Sequence, residues 1–299
     1  MNAPRSQKVE VHGWVILDKP VGMTSTQGVG LVKRLFNAKK AGHAGTLDPL
    51  ASGVVVVCVG HATKLVDYLH DLTKHYAATF LLGRSSPSDD LETPIEEEDD
   101  PVRPSAAEIE AAAIAFRGDI LQRPCDYSAV HVDGKRAYRL ARKGRPVVLE
   151  SKPVRIHRLT ITGYEWPRLA VEIECSSGTF VRALGRDLAE SLGTKAVMES
   201  LVRTAVGPFS CGASIALDAI TPDTARAAIL PAAAAVSHLP SEVLDADVLA
   251  NAVRGGLLQL PGSTGPAVAA LDVSGQLVGI LKRLDSGSYR LRPNFLGEG

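Results

Sequence analysis

The sequence predicts an α+β protein with one large core and a smaller C-terminal module, and three observations carry that expectation. Val54–Val59 is a short, wholly apolar run with five valines, the composition of a strand packed on both faces. Leu169, Val171, Ile173 and Cys175 alternate with Ala170, Glu172, Glu174 and Ser176, the period of a half-buried strand. Helical patterns with start signals lie among these strands, the clearest being the capping box Ser105/Glu108. At 299 residues and 45% hydrophobic content, the chain is long enough for such a core plus a second, smaller domain.

Taken in order, 1–11 reads as a flexible tail without the apolar segment of a secretory signal. Gly13–Leu17 reads as the first strand. Thr24 or Ser25 can cap a helix that buries Val29, Val32, Leu35 and Phe36. Lys64–Leu69 gives a short helical pattern and Tyr76–Leu82 a strand. A helix from Ser105 runs through Phe116, with Gly118 as its stop. Another runs from Thr179 to Leu192, ended by Gly193. Thr221–Pro240 is rich in alanine and proline and reads as a linker with some helix. Glu242–Gly255 is helical in pattern, and Val268–Val273 with Leu277–Leu284 reads as a hairpin turning at Ser274–Gly275. No apolar run reaches the length of a membrane span. Cys58, Cys125, Cys175 and Cys211 are widely spaced, as expected of reduced thiols in a cytoplasmic protein.

Lys plus Arg equals Asp plus Glu, 33 of each, so net charge gives no sign of a nucleic-acid partner. The distribution does. Acids gather in Ser85–Pro104, at Asp89, Asp90, Glu92, Glu96, Glu97, Glu98, Asp99 and Asp100, a run expected to be a solvated loop. Gln122–Arg158 is basic instead, with ten Lys or Arg against Asp126, Asp133 and Glu150, and with Tyr127 and Tyr138 interleaved. That clustering points to phosphate contacts.

Chemistry concentrates in Lys39–Gly60, whose one carboxylate is Asp48. Pro49 biases Asp48 toward extended backbone, and Gly42 and Gly45 permit close approach of backbone or ligand. An isolated Leu-Asp-Pro is ordinarily a turn carboxylate. Arg182 falls in the first turn of a predicted helix, where a cation opposes the helix dipole. A nearby anion would offset that cost, and Asp48 is the anion expected there. Metal-ligand spacings such as His-Glu-x-x-His or Cys-x-x-Cys do not occur.

The motifs together resemble a family. GHAGTLDPLASGVVVV (Gly42–Val57) resembles the active-site motif of the TruB-type pseudouridine synthases. Leu17-Asp18-Lys19-Pro20 resembles the family's N-terminal Lys-Pro motif, and Lys74-His75-Tyr76 its Lys-x-Tyr motif. Gln122–Lys143 resembles the RNA-binding thumb, Ser177–Leu188 the motif bearing the family arginine, and Leu201-Val202-Arg203-Thr204 follows in order. The resemblance spans Gly13 to Phe209. It implies a pseudouridine synthase fold with a mixed, largely antiparallel sheet over 12–230, a thumb inserted at about 122–152, and a PUA-like RNA-binding β domain over 231–299. It further implies a stand-alone, monomeric bacterial enzyme acting on uridine 55 in the T-arm loop of transfer RNA, with no cofactor, metal, membrane or obligatory protein partner.

In that reading Asp48 is the catalyst. His43, Tyr76, Phe180, Arg182, Leu201 and Lys19 form the substrate site: Tyr76 stacks on the flipped base, Leu201 walls the pocket, His43 contacts RNA near the vacated base position, and Lys19 supports the site structurally rather than contacting the base. Arg136, Arg139, Arg142 and Lys143 contact the RNA backbone. The chain departs from the usual pattern at Phe180, where tyrosine is common, at Cys125 in place of a proline, and at His131 in place of a lysine. The reaction breaks N1–C1′ of uridine and joins C5 to C1′. One carboxylate can serve it by attack on C1′, by removal of the C2′ proton, or by addition to C6. Two other readings share these motifs: the catalytic subunit of a guide-RNA-directed complex, and a non-catalytic RNA-binding or RNA-folding protein.

Overall fold

The computed structural model describes residues 11–128, 130–132, 134–142, 144 and 149–295, with only the backbone described at 131, 132, 135, 136 and 222. The tail expected over 1–11 lies outside the described residues except for Val11.

The large domain is built on β1 (Gly13–Lys19), α1 (Ser25–Leu35), β2 (Ala41–His43), β3 (Ser52–Val59), β4 (Lys74–Leu82), α2 (Ala106–Ala115), β5 (Gly118–Gln122), β6 (Lys152–Glu165), β7 (Arg168–Cys175), α3 (Val181–Ser191), β8 (Ala196–Val206) and β9 (Ile215–Ala216). Its sheet runs β9-β1-β3-β8-β4-β7-β6-β5, with β2 added to β3. The β9–β1 and β3–β8 pairs are parallel, and the other neighbours are antiparallel. The expected mixed, largely antiparallel sheet of an α+β fold is therefore present.

Why Val54–Val59 carries no polar residue is now plain. Val55, Val57 and Val59 pack on the face covered by α1, α2 and α3, with Val32, Ile109 and Leu184. Val54, Val56 and Cys58 pack on the opposite face, with Trp14, Leu65 and Leu69. A central strand buried on both sides has no solvent face to offer a polar side chain. Gly53 is required where β3 meets β8: its φ is +98° and a Cβ there would lie 2.3 Å from the Arg203 carbonyl oxygen. Thr24 caps α1 and forms a capping box with Gln27, and Ser105 does the same with Glu108 on α2.

Gln122 and Lys152 face each other at the edge of the sheet. The basic segment leaves the sheet at one and returns at the other. It carries the short strand pair His131–Val132 and Lys135–Arg136 and the helix Ala137–Ala141.

The C-terminal sheet runs β10 (Ser241–Val243), β11 (Ala267–Leu271), β12 (Leu277–Arg283), β13 (Tyr289–Asn294), and its Val268/Leu281/Leu291 face is covered by α4 (Ala246–Val253). Three details differ from expectation. Glu242 lies in a strand rather than a helix, because β10 pairs in parallel with β11. A third strand, β13, extends the expected hairpin. The segment read as a linker is packed, with Ala235 and Val236 buried in the Trp14 cluster together with Ala269 and Ile280 of the C-terminal sheet. Among the described residues no helix is long and apolar enough to cross a membrane.

Candidate active site

Asp48 sits on the loop between β2 and β3, and several separate contacts fix that loop. The buried Ser25 hydroxyl accepts from Leu47 N–H at 2.9 Å and donates to Leu47 O at 3.0 Å. Pro49 O accepts from Gly22 N–H at 2.7 Å, and Ala51 N–H donates to Asp48 O at 3.1 Å. Lys19 is 1% exposed. Its ammonium donates to the carbonyls of Pro20, Met23 and Ala51 and, at 3.5 Å, to Pro49. Burial lowers the Lys19 pKa to about 8 while Asp48 holds it up, so the side chain stays largely protonated at neutral pH as a tie across the loop.

On the other side stands Arg182. Helix α3 comes close to the sheet at Gly185, where a Cβ would fall 2.1 Å from the Phe80 ring. The helix has no side-chain cap of its own at Phe180. Instead the buried Gln122 amide accepts from Phe180 N–H at 2.7 Å and donates to Phe180 O at 3.0 Å. This sets Arg182 in the first turn. Its guanidinium reaches Asp48 Oδ2 at 2.9 Å and Asp90 Oδ2 at 3.2 Å. It also donates to Ser88 O at 2.8 Å and Tyr127 O at 3.0 Å. The anion expected beside Arg182 is there, and a second one with it.

Asp90 corrects the expectation that the acidic segment is merely solvated. It is 2% exposed and accepts from the Ser88 hydroxyl and from Glu92 N–H. Burial pushes its carboxyl above the ordinary value, against the pull of Arg182. Next to it, Asp89 pairs with Arg186 at 2.8 Å. Two buried arginines on one helix need local anions, and the acidic segment supplies them. The remaining acids of the run, Glu96 to Asp100 among them, are mostly exposed.

Asp48, Tyr76, Phe180, Arg182 and Leu201 line one pocket of about 130 Å³, together with Thr46, Leu47, Ser128, Thr179 and Val181. The Asp48 side chain remains 39% exposed while Arg182 is 6% exposed, so one carboxylate is presented to the pocket on a buried cationic support. Neither His43 nor Lys19 lines it. His43 ends β2 opposite Val57 and is half-buried, and burial followed by the nearby Arg203 charge lowers its pKa, favouring the neutral ring.

Of the four predicted backbone contacts, Arg139 is exposed and donates to the Tyr138 hydroxyl at 3.3 Å. Arg142 lies over the Tyr138 ring at 5.6 Å and pairs with Glu92. The Arg136 side chain and Lys143 lie outside the described residues. Cys125 is buried beside this region, and burial raises its thiol well above the ordinary range. Sequence reasoning missed Asp90, Gln122 and the Ser25 clamp. Asp90 carried no signal distinguishing it from its acidic neighbours, whereas Ser25 was legible only as a possible helix cap.

Comparison with known proteins gives a consistent picture. Residues 33–181 match the model of the family described as "TruB family pseudouridylate synthase (N terminal domain)". The chain is 41% identical over 292 residues to "tRNA pseudouridine synthase B" of Bradyrhizobium diazoefficiens, covering 93% of this chain and 84% of that protein. It is 43% identical over 267 residues to the protein of the same name from Gluconacetobacter diazotrophicus, covering 86% and 87%. Among solved structures it resembles a chain of "Crystal Structure of a Cbf5-Nop10-Gar1 Complex" with a TM-score of 0.70 and 27% identity, over 91% of this chain and 78% of that one.

Proposed function

The chain belongs to the TruB family of pseudouridylate synthases, and on that premise we propose that it isomerises uridine 55 in the T-arm loop of transfer RNA, acting as a single chain without guide RNA. The observation that carries the reading is the Asp48–Arg182 pair opening onto a pocket with an aromatic wall. A stacked uridine hides its C1′ and C5, so the nucleotide must be flipped out to react. Tyr76 and Phe180 offer ring faces to a flipped pyrimidine, Leu201 closes the pocket, and Asp48 meets the sugar. The carboxylate acts by attack on C1′, by taking the C2′ proton or by addition to C6. In each case the guanidinium orients it in a geometry a point charge would not fix. The reaction releases only the C5 proton, and N1 takes one up. We place this activity in the cytoplasm, with transfer RNA as the partner and the monomer as the working form. The basic thumb and the C-terminal β domain are assigned to binding the RNA backbone.

The test is tritium release from C5-labelled uridine in an unmodified transfer RNA transcript, without guide RNA. Release approaching one equivalent per transcript is expected. No release at stoichiometric protein would leave the guide-dependent subunit or an RNA-folding protein as the reading.

Phe180 tests the transferred site. Phe180→Tyr is expected to keep the single-turnover rate, because the residue lines an open pocket rather than a filled core. A collapse in rate at unchanged thermal stability would show that the pocket is packed around phenylalanine. Arg142 tests the thumb. Changing Arg142 and Lys143 together to Ala should weaken RNA binding and flatten the plot of log Kd against log salt by about one unit for each phosphate left without its cation. An unchanged slope would remove these two side chains from the RNA interface.

A further inference from the structure

Arg203 carries a second, unassigned arrangement behind the pocket. It lies in β8 and is 1% exposed. Its guanidinium faces backbone carbonyls rather than carboxylates: Nε donates to Val54 O at 2.7 Å, Nη2 to Gly45 O at 3.2 Å and Nη1 to Thr46 O at 3.4 Å. Burying a cation among neutral acceptors is costly, and an apolar residue in this central strand would avoid the cost. The acceptors are informative, because Gly45 and Thr46 belong to the loop that presents Asp48.

Arg203 also stands directly opposite Tyr76 in the β8–β4 register, so the two side chains share one face of the sheet. Tyr76 lines the pocket beside Asp48, so Arg203 stands behind both a pocket wall and the loop that presents the carboxylate.

We infer that Arg203 is a positioning residue for the rearrangement: it fixes the Asp48 loop against β8 through the Gly45 and Thr46 carbonyls. This rests on the pseudouridine-forming function proposed above. When N1–C1′ breaks, the electron pair stays on the base, and a carboxylate held in place beside the sugar is needed throughout. The C5–C1′ bond then forms, C5 gives up its proton to solvent and N1 gains one, so nothing further is consumed.

The experiment measures single-turnover tritium release, RNA Kd and Tm for Arg203→Lys and Arg203→Gln. Arg203→Lys keeps the charge and loses the fork, while Arg203→Gln removes the buried charge and keeps an NH2 donor, giving two independent chances of a folded protein. A folded Arg203 variant is expected to bind RNA within about threefold of the unaltered protein and to react ~100-fold more slowly, as misplacement of a reacting group commonly costs. Two results would each overturn the inference: a full rate in a folded Arg203 variant, or failure of both Arg203 variants to fold. Absence of tritium release by the unaltered protein is a separate result, which overturns the function and the inference with it.

Discussion

Asp48→Asn is expected to slow single-turnover tritium release by ~10⁴-fold or more, the scale seen when an essential catalytic side chain is removed. Asparagine has nearly the same shape but is a poor nucleophile and a poor base. The fold should survive, because Arg182 keeps Asp90 and the carbonyls of Ser88 and Tyr127 as partners. The loop should survive as well, since Ser25 and Lys19 hold its backbone rather than its carboxylate. RNA affinity should stay the same or tighten slightly as one negative charge is removed near phosphates. If Asp48 were only a turn residue, Tm and RNA affinity would fall together. Near-native release by a well-folded variant, with deamidation excluded by mass, would overturn the catalytic role.

Arg182→Lys is expected to produce the second-largest loss, ~10²–10³-fold in the chemical step, with RNA Kd changed only a few-fold. The reason lies in the number and arrangement of acceptors. One planar fork serves Asp48, Asp90, Ser88 O and Tyr127 O at once. An ammonium has three donors and no fork, so it cannot satisfy the same set in the same plane. Asp90 suffers most, because its carboxyl is buried and already pushed upward. A lower Tm is therefore expected alongside the slower reaction. A full single-turnover rate in this variant would remove the ion pair from the mechanism.

What could be read from sequence, and what could not, follows from the range of the interactions. Val54–Val59 was legible because a strand buried on both faces writes its environment into its own composition. Arg182 was legible because a cation in the first turn of a helix is locally wrong and asks for an anion. Asp90 was not, since nothing local separates it from the solvated acids around it, and its burial comes from an arginine on a distant helix. The same holds for Arg203, whose partners become neighbours only through the parallel β3–β8 pairing. Ala235 and Val236 looked like linker because small apolar residues carry little pattern and their partner, Trp14, is at the other end of the domain. Strand β13 was missed because its alternation, Tyr289-Arg290-Leu291-Arg292, lasts only four residues before Pro293, a residue tolerated at a sheet edge.

Whether Asp48 and its pocket act on one uridine of the T-arm loop can be decided with two tritiated transfer RNA transcripts. They are identical except that position 55 is uridine in one and cytidine in the other, and each is mixed with stoichiometric protein and no guide RNA. Release approaching one equivalent is expected from the first transcript and none from the second. Equal release from both, or none from either, would contradict the proposed function.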